Sequence, residues 1–156
     1  MSKYLVLPKK DKEGVPYLSY SQISTWNKSK REYIRRYFFN EPDDNQMLKK
    51  YGDFGHKVGE ALEHNDFTGF TNKEKKLMKS IPRYDEFERE IKLQMKGFYI
   101  KGFIDTNTSN GKKLADYKTG EIDKRKADYE SEEYIQTEIY SGAIRQDFGT
   151  LPEEVS

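Results

Sequence analysis

The sequence predicts an α+β fold in which helices pack on a small mixed sheet built around an antiparallel three-strand meander. Three observations carry that expectation. Apolar residues recur at helical period near both ends of the chain. Between them lie three strand-like runs, Phe87 to Met95, Phe98 to Asp105 and Lys113 to Lys118. The last two runs are joined by Thr108-Ser109-Asn110-Gly111, and Asn-Gly between strand-like runs is the strongest short hairpin signal.

Taken in order, residues 1–18 read as a lead-in broken by Pro8, Gly14 and Pro16. Ser19 followed by Gln22 has the form of a capping box. One helix then carries Ile23, Trp26, Tyr33, Ile34, Tyr37 and Phe38 as an apolar stripe, and Pro42-Asp43-Asp44-Asn45 closes it. A second helix covers Met47 to Leu62, with Met47, Tyr51, Phe54, Val58 and Leu62 as its buried stripe. His56 falls on the other side, with Gly52, Gly59, Glu60 and Glu63. Glycine inside a helix costs about 1 kcal/mol relative to alanine, so its presence there implies a close neighbour on that face.

Residues 65–85 are charged, with one short helix expected around Lys73 to Ile81. Lys96-Gly97 turns the first strand into the second. A charged connector runs from Glu121 to Glu130. A last helix is expected from near Ser131 to just before Gly149, with Tyr134, Ile135, Ile139, Tyr140, Ala143 and Ile144 as apolar members. A further strand would be natural at the closing Leu151-Pro152-Glu153-Glu154-Val155-Ser156.

A chain of 156 residues suits one domain with one core. Its 35% charged residues nearly cancel, leaving a net charge of +1, so attraction to nucleic acid must come from local clusters. Lys28 to Arg36, Lys73 to Lys79, Lys112-Lys113 and Lys124-Arg125-Lys126 are the candidates, although a solvated face is the ordinary use of each. Only 34% of residues are hydrophobic, but twelve tyrosines help bring the aromatic share to 14%, so a core can be built from few large side chains. That aromatic content argues against disorder. With no cysteine, a disulfide framework, a thiolate zinc site and an iron–sulfur cluster are excluded. No apolar run spans a membrane and Met1-Ser2-Lys3-Tyr4 does not open a signal peptide, so the expectation is a soluble cytoplasmic protein without a membrane partner.

The chemistry concentrates on the second hairpin. Gly102-Phe103-Ile104-Asp105 and Leu114-Ala115-Asp116-Tyr117-Lys118-Thr119-Gly120 bring two carboxylates and a lysine to one end of the sheet. Alternation along a strand puts Asp116 and Lys118 on one face and Tyr117 on the other. Converging acids bind a hard divalent cation, and a lysine beside it can orient water or stabilise charge on a phosphate. This is the equipment of a metal-dependent nuclease. The triplet alone means little, since Glu74-Lys75-Lys76 and Glu90-Ile91-Lys92 repeat it without the hairpin and its upstream acid. An ordinary reading makes these charges a surface salt bridge, but aspartate is depleted in strands and both aspartates here stand beside apolar residues. His56 offers a nitrogen ligand. Gln136-x-x-x-Tyr140 puts two polar groups on one helix face, ready to contact lysine, phosphate or a base.

In this order, His56 on a helix, Gly102-x-x-Asp105, Asp116-Tyr117-Lys118-Thr119-Gly120 and Gln136-x-x-x-Tyr140 resemble the RecB-like nucleases of the PD-(D/E)XK superfamily. Leu18-Ser19-Tyr20-Ser21-Gln22-Ile23 with Trp26 and Tyr37 is similar to the first helix of that family. The resemblance covers residues 18 to 150 and implies a single nuclease domain over 1–156 with a restriction-endonuclease-like fold. It implies that Asp105 and Asp116 ligate Mg²⁺ or Mn²⁺ with His56 and the Tyr117 carbonyl, and that Lys118 activates the attacking water. Gln136 and Tyr140 would hold the DNA strand or the lysine, with Glu60 and Glu90 as weaker accessory ligands. An oxygen-rich site with one imidazole suits Mg²⁺ or Mn²⁺ better than zinc.

Two departures stand out. Many relatives carry four cysteines for an iron–sulfur cluster, whereas this chain reads Asn27-Lys28-Ser29-Lys30 at the first position, which places it in the cluster-free branch. Relatives also continue past the last helix into another strand and helix, here from near Val155, so a trimmed or minimal version with an uncovered sheet edge is expected. The implied activity is exonucleolytic hydrolysis of DNA ends or single strands in recombination, repair or phage DNA processing. DNA is the partner, other DNA-processing proteins are further ones, and the host cytoplasm is the location if the source is viral. The alternative is a non-catalytic nucleic-acid-binding module of the same fold. A purely structural α+β domain would require four coincidences.

Overall fold

The computed structural model describes residues 6–42, 46–119 and 135–156. The chain is a mixed α+β protein, with five helices and a mixed open sheet among the described residues. Its backbone groups into two compact units, one formed by residues 1–44 and 90–102 and the other by 45–89 and 103–156. The long hairpin of β2 (Glu86–Met95) and β3 (Phe98–Asn107) contributes to both, and Gly97 at its turn adopts φ +85°.

In the first unit, Tyr17–Ser19 forms a short strand, β1, parallel to β3, with Tyr17 beside Tyr99 and Ser19 beside Lys101. The lead-in expectation missed it because parallel pairing is decided by a distant partner rather than by local pattern. The segment before β1 folds back on the side chain of Asp11, which accepts from the Glu13 and Val15 backbone N–H groups at 3.0 and 2.9 Å. The Tyr99 hydroxyl donates to the other Asp11 oxygen at 3.0 Å.

The expected first helix is two helices, α1 (Tyr20–Lys28) and α2 (Lys30–Tyr37). Ser29 separates them in extended conformation (φ −158°, ψ 106°), and its hydroxyl accepts from the Glu32 N–H at 3.2 Å. Serine at an N-cap satisfies a helix donor that otherwise has no partner, which explains the break. Half of the capping box expected ahead of it forms, as Ser19 Oγ accepts from the Gln22 N–H at 3.3 Å. The apolar stripe is not uniformly buried. Tyr33 is buried, while Trp26, Ile34 and Phe38 are exposed.

In the second unit, α3 (Gln46–His64) buries Val58, Ala61 and Leu62 against Phe70 and Met78, with Phe67, Ile81 and Tyr117 packed alongside. Phe54, expected in that stripe, is exposed with its ring 6.5 Å from Phe70; the side chains of Met47 and Tyr51 lie outside the described residues. Next comes α4 (Asn72–Met78), opened by a complete capping box between Thr71 and Glu74.

Strand β4 (Lys113–Ala115) pairs antiparallel with β3, Thr106 opposite Ala115 and Asn107 opposite Leu114. β5 (Glu154–Val155) pairs parallel with β4. The β3–β4 turn closes through Gly111, which stands at φ +70°. Any Cβ there would sit 2.6 Å from the Phe148 ring, so glycine is required on two counts. The last helix, α5 (Gln136–Phe148), buries Ile139, Tyr140, Ala143 and Ile144 and ends at Gly149 in left-handed conformation. Its expected start at Ser131, Tyr134, the Glu121–Glu130 connector and the Lys124-Arg125-Lys126 cluster lie outside the described residues. Among the described residues, no helix is long and apolar enough to cross a membrane.

Candidate functional site

The residues that matter stand where β3 and β4 part within the second unit. Ile104 and Leu114 are fully buried, and burying each side chain stabilises the fold by about 1.5–3 kcal/mol, which anchors the two strands. Below them Thr106 Oγ1 donates to the Glu86 carbonyl at 2.9 Å and accepts from the Tyr84 N–H at 2.9 Å. Asn107 donates to the Glu86 carboxylate, which also takes Arg89 at 3.0 Å; Arg89 in turn reaches Asp147 and lies 4.9 Å from the centre of the Phe148 ring. The polar network leaves β3 little freedom at the end that presents Asp105.

The strand expected from Lys113 to Lys118 stops at Ala115, and Asp116 to Thr119 form no regular element. The departure has a visible cause. Tyr117 gives its backbone N–H to Asp105 Oδ2 at 2.5 Å instead of to a ladder carbonyl. The alternation nevertheless persists across these residues. Tyr117 turns to the core and donates its hydroxyl to the Pro82 carbonyl at 2.9 Å, and burial pushes that hydroxyl up to about 12. Asp116 and Lys118 emerge together on the other side as an ion pair.

Asp116 is almost completely buried, its side chain 2% exposed, and Lys118 is partly buried. The Lys118 ammonium also donates to Gln136 Oε1 at 3.0 Å, and Gln136 Nε2 donates to the Tyr140 hydroxyl oxygen at 2.6 Å. Lysine can only donate, so the amide must present its oxygen to Lys118 and its nitrogen to Tyr140. Burial holds the Tyr140 hydroxyl protonated well above its ordinary range, against the opposing pull of the Gln136 bond. α5 therefore sets the lysine through a two-residue relay. Asp105 is pushed up to about 6, first by burial and then by the Asp116 charge, against the opposing pull of the Tyr117 N–H.

The expected site residues divide into those the fold gathers and those it does not. Asp105, Asp116, Lys118, Gln136 and Tyr140 form one connected set, with Tyr117 bonded into it through its N–H. His56 is 81% exposed and lies 3.6 Å from Glu60, which is itself mostly exposed. Among the described residues, no three His, Asp or Glu side chains are grouped to hold a metal ion. Glu90 belongs to the first unit and pairs with Lys101 at 3.4 Å.

α3 does pass close to the site segment, as the glycine face suggested, but through a different glycine. A Cβ on Gly55 would sit 3.3 Å from Thr119 Oγ1, whereas at Gly52 and Gly59 it would meet nothing within 4 Å. One site residue escaped the sequence reading. Glu88, at φ +49° within β2, adds its charge to those raising Asp105. That backbone conformation breaks strict alternation, so Glu88 could not be placed by strand periodicity. No protein-family model matches the sequence, and none of the curated proteins matches it either.

Proposed function

We propose that this chain is a metal-dependent deoxyribonuclease of the PD-(D/E)XK superfamily, a RecB-like exonuclease of the cluster-free branch working on DNA ends or single strands in the cytoplasm. One observation carries the reading: Asp105, Asp116 and Lys118 meet in a sheltered cluster, with Gln136 and Tyr140 ordered behind the lysine. Two carboxylates are enough protein for Mg²⁺, which keeps several waters and takes substrate phosphate oxygens for the rest of its shell. Burial first and the Asp116 charge second raise Asp105, and a bound cation would offset both by favouring the ionised form. Bound there, Mg²⁺ or Mn²⁺ would supply Lewis acidity at the phosphate and a more acidic water.

The chain's own groups account for the remainder. Lys118 sets a fixed positive charge beside the position a phosphate would take, and Asp116 on one side and Gln136 on the other restrict its swing. Asp105, near 6, is largely ionised at neutral pH and able to act as a ligand.

The test is a gel assay with end-labelled single- and double-stranded DNA in Mg²⁺, Mn²⁺ or EDTA, beside Asp116→Ala. Metal-dependent degradation that vanishes with EDTA and in the variant is the expected result, and its ladder separates exo from endo action. Binding without cleavage in any metal would instead make the chain a non-catalytic module of the same fold.

A further inference from the structure

The surface of α1 and α2 carries chemistry that the Asp105 cluster does not use. Trp26 and Phe38 are 44% and 46% exposed, and Phe39 is 70% exposed. Buried Tyr33 lies beneath the first two, its ring edge-on to Trp26 at 5.2 Å and 6.1 Å from Phe38. These rings are thus held on a packed base rather than hanging free. Exposed aromatics grouped this way mark a surface made to be covered.

Charge names the covering group. Residues 28–36 hold Lys28, Lys30, Arg31, Arg35 and Arg36 against the single acid Glu32. Lys28, Lys30 and Arg31 are exposed at the α1–α2 junction, and the Lys30 ammonium lies 5.4 Å from the centre of the Trp26 ring. Arg35 and Arg36 are partly neutralised by Glu32 and Glu41, so the effective positive charge sits beside Trp26.

We infer that this face binds single-stranded nucleic acid, with bases stacking on Trp26 and Phe38 and phosphates lying against Lys28, Lys30 and Arg31. Exposed rings beside exposed cations match a strand that carries both flat bases and phosphates. A duplex fits less well, because its bases are already stacked and only its phosphates would be engaged. The purpose of such binding rests on the nuclease reading; the binding itself is tested apart from it.

Trp26 is the only tryptophan, so its fluorescence reports this surface alone. Oligothymidylate is titrated into the full chain in EDTA, where cleavage cannot intervene. The expected result is quenching that weakens with added salt, with an affinity lowered about 10-fold by Trp26→Leu, followed there by anisotropy of a labelled strand. A second variant, Lys28→Glu with Lys30→Glu and Arg31→Glu, changes only exposed side chains and leaves the aromatic base intact. Two of its acids enter the first turn of α2, where the helix dipole favours them, but the third replaces the last-turn lysine of α1, so an unchanged circular dichroism melt is required before loss of binding is read as loss of contact.

Unquenched fluorescence with unchanged affinity in both variants overturns the inference, as does equal quenching by a duplex of the same length. Cleavage without quenching would leave the nuclease reading standing and remove this one. Quenching without cleavage would do the reverse.

Discussion

Glu90-Ile91-Lys92 on β2 and Asp116-Tyr117-Lys118 after β4 carry the same charges at the same spacing, with the middle residue turned inward in both. In the first, Ile91 is buried, Glu90 is largely exposed and pairs with Lys101, and Lys92 lies 5.2 Å from the centre of the Tyr99 ring. In the second, the charged face is sheltered and met by the side chains of α5. An exposed ion pair contributes about 0–1 kcal/mol because water and salt screen it. A buried carboxylate cannot rely on water and must be matched by protein groups or a bound cation. Chemistry therefore follows from what covers the charged face and from a second acid converging on it, not from the triplet. The third copy, Glu74-Lys75-Lys76, makes the same point: its Glu74 closes the capping box of α4.

The comparison breaks most visibly in activity. Lys118→Ala should lower metal-dependent cleavage by about 10²–10³-fold, the usual cost of removing one group that stabilises developing charge. Lys92→Ala should leave the rate within about twofold, since the Glu90 of its triplet is exposed and paired with Lys101. Single-turnover rates on labelled DNA decide this, and equal losses in the two variants would erase the distinction between the triplets.

Stability sharpens it next. Asp105 is raised in the folded state from an ordinary value of 3.8 to about 6, so the folded protein binds the proton more tightly than the unfolded chain. Its contribution is fully present below about pH 4 and is lost as pH rises through about 6. Asp105→Asn should therefore stabilise the protein at pH 7.5, by at most about 3 kcal/mol, while abolishing cleavage, and should flatten the stability profile between pH 4 and 6. The amide oxygen can still accept from the Tyr117 N–H. Urea melts across that range measure the effect. Destabilisation by Asp105→Asn at pH 7.5 would mean that the carboxylate is compensated rather than held under repulsion.

The smallest effect lies with the capping triplet. Glu74→Ala should lower the thermal midpoint by about 1–3 °C through loss of the bond to the Thr71 N–H, whereas Glu90→Ala should barely move it. Paired melts of the two variants check this.

Much of this site was legible in the chain because its parts obey local rules. Asn110-Gly111 specifies a turn, two residues along a chain near β geometry share a face, and four residues along a helix align Gln136 with Tyr140. Three things escaped the sequence reading. Ser29 breaks the first helix, although Ser29-x-x-Glu32 has the spacing of a capping box and could have signalled it. Glu88 bears on Asp105, whereas Glu90, which only the resemblance suggested, does not; the left-handed backbone at Glu88 interrupts the alternation that could have placed it. Phe54 belongs to the apolar stripe of α3 yet is exposed, because a stripe reports which face is apolar and not how far the packing against it extends.

The sequence by itself determined the long hairpin, the second turn, the α5 positions that become buried, and the pairing of Asp116 with Lys118 on one face, all consequences of short-range sterics and periodicity. Tertiary structure alone decided that Tyr17–Ser19 is a strand, that β4 ends at Ala115, and that Gly55 rather than Gly52 or Gly59 lies against Thr119. It also decided that Asp105 is buried beside Asp116 while Glu90 is exposed and paired with Lys101. Each of these depends on a partner distant in sequence: β3 for β1, the Asp105 carboxylate for the Tyr117 N–H, Thr119 for Gly55, burial beside Asp116 for Asp105. Such partners are selected by packing and desolvation, which local pattern does not encode.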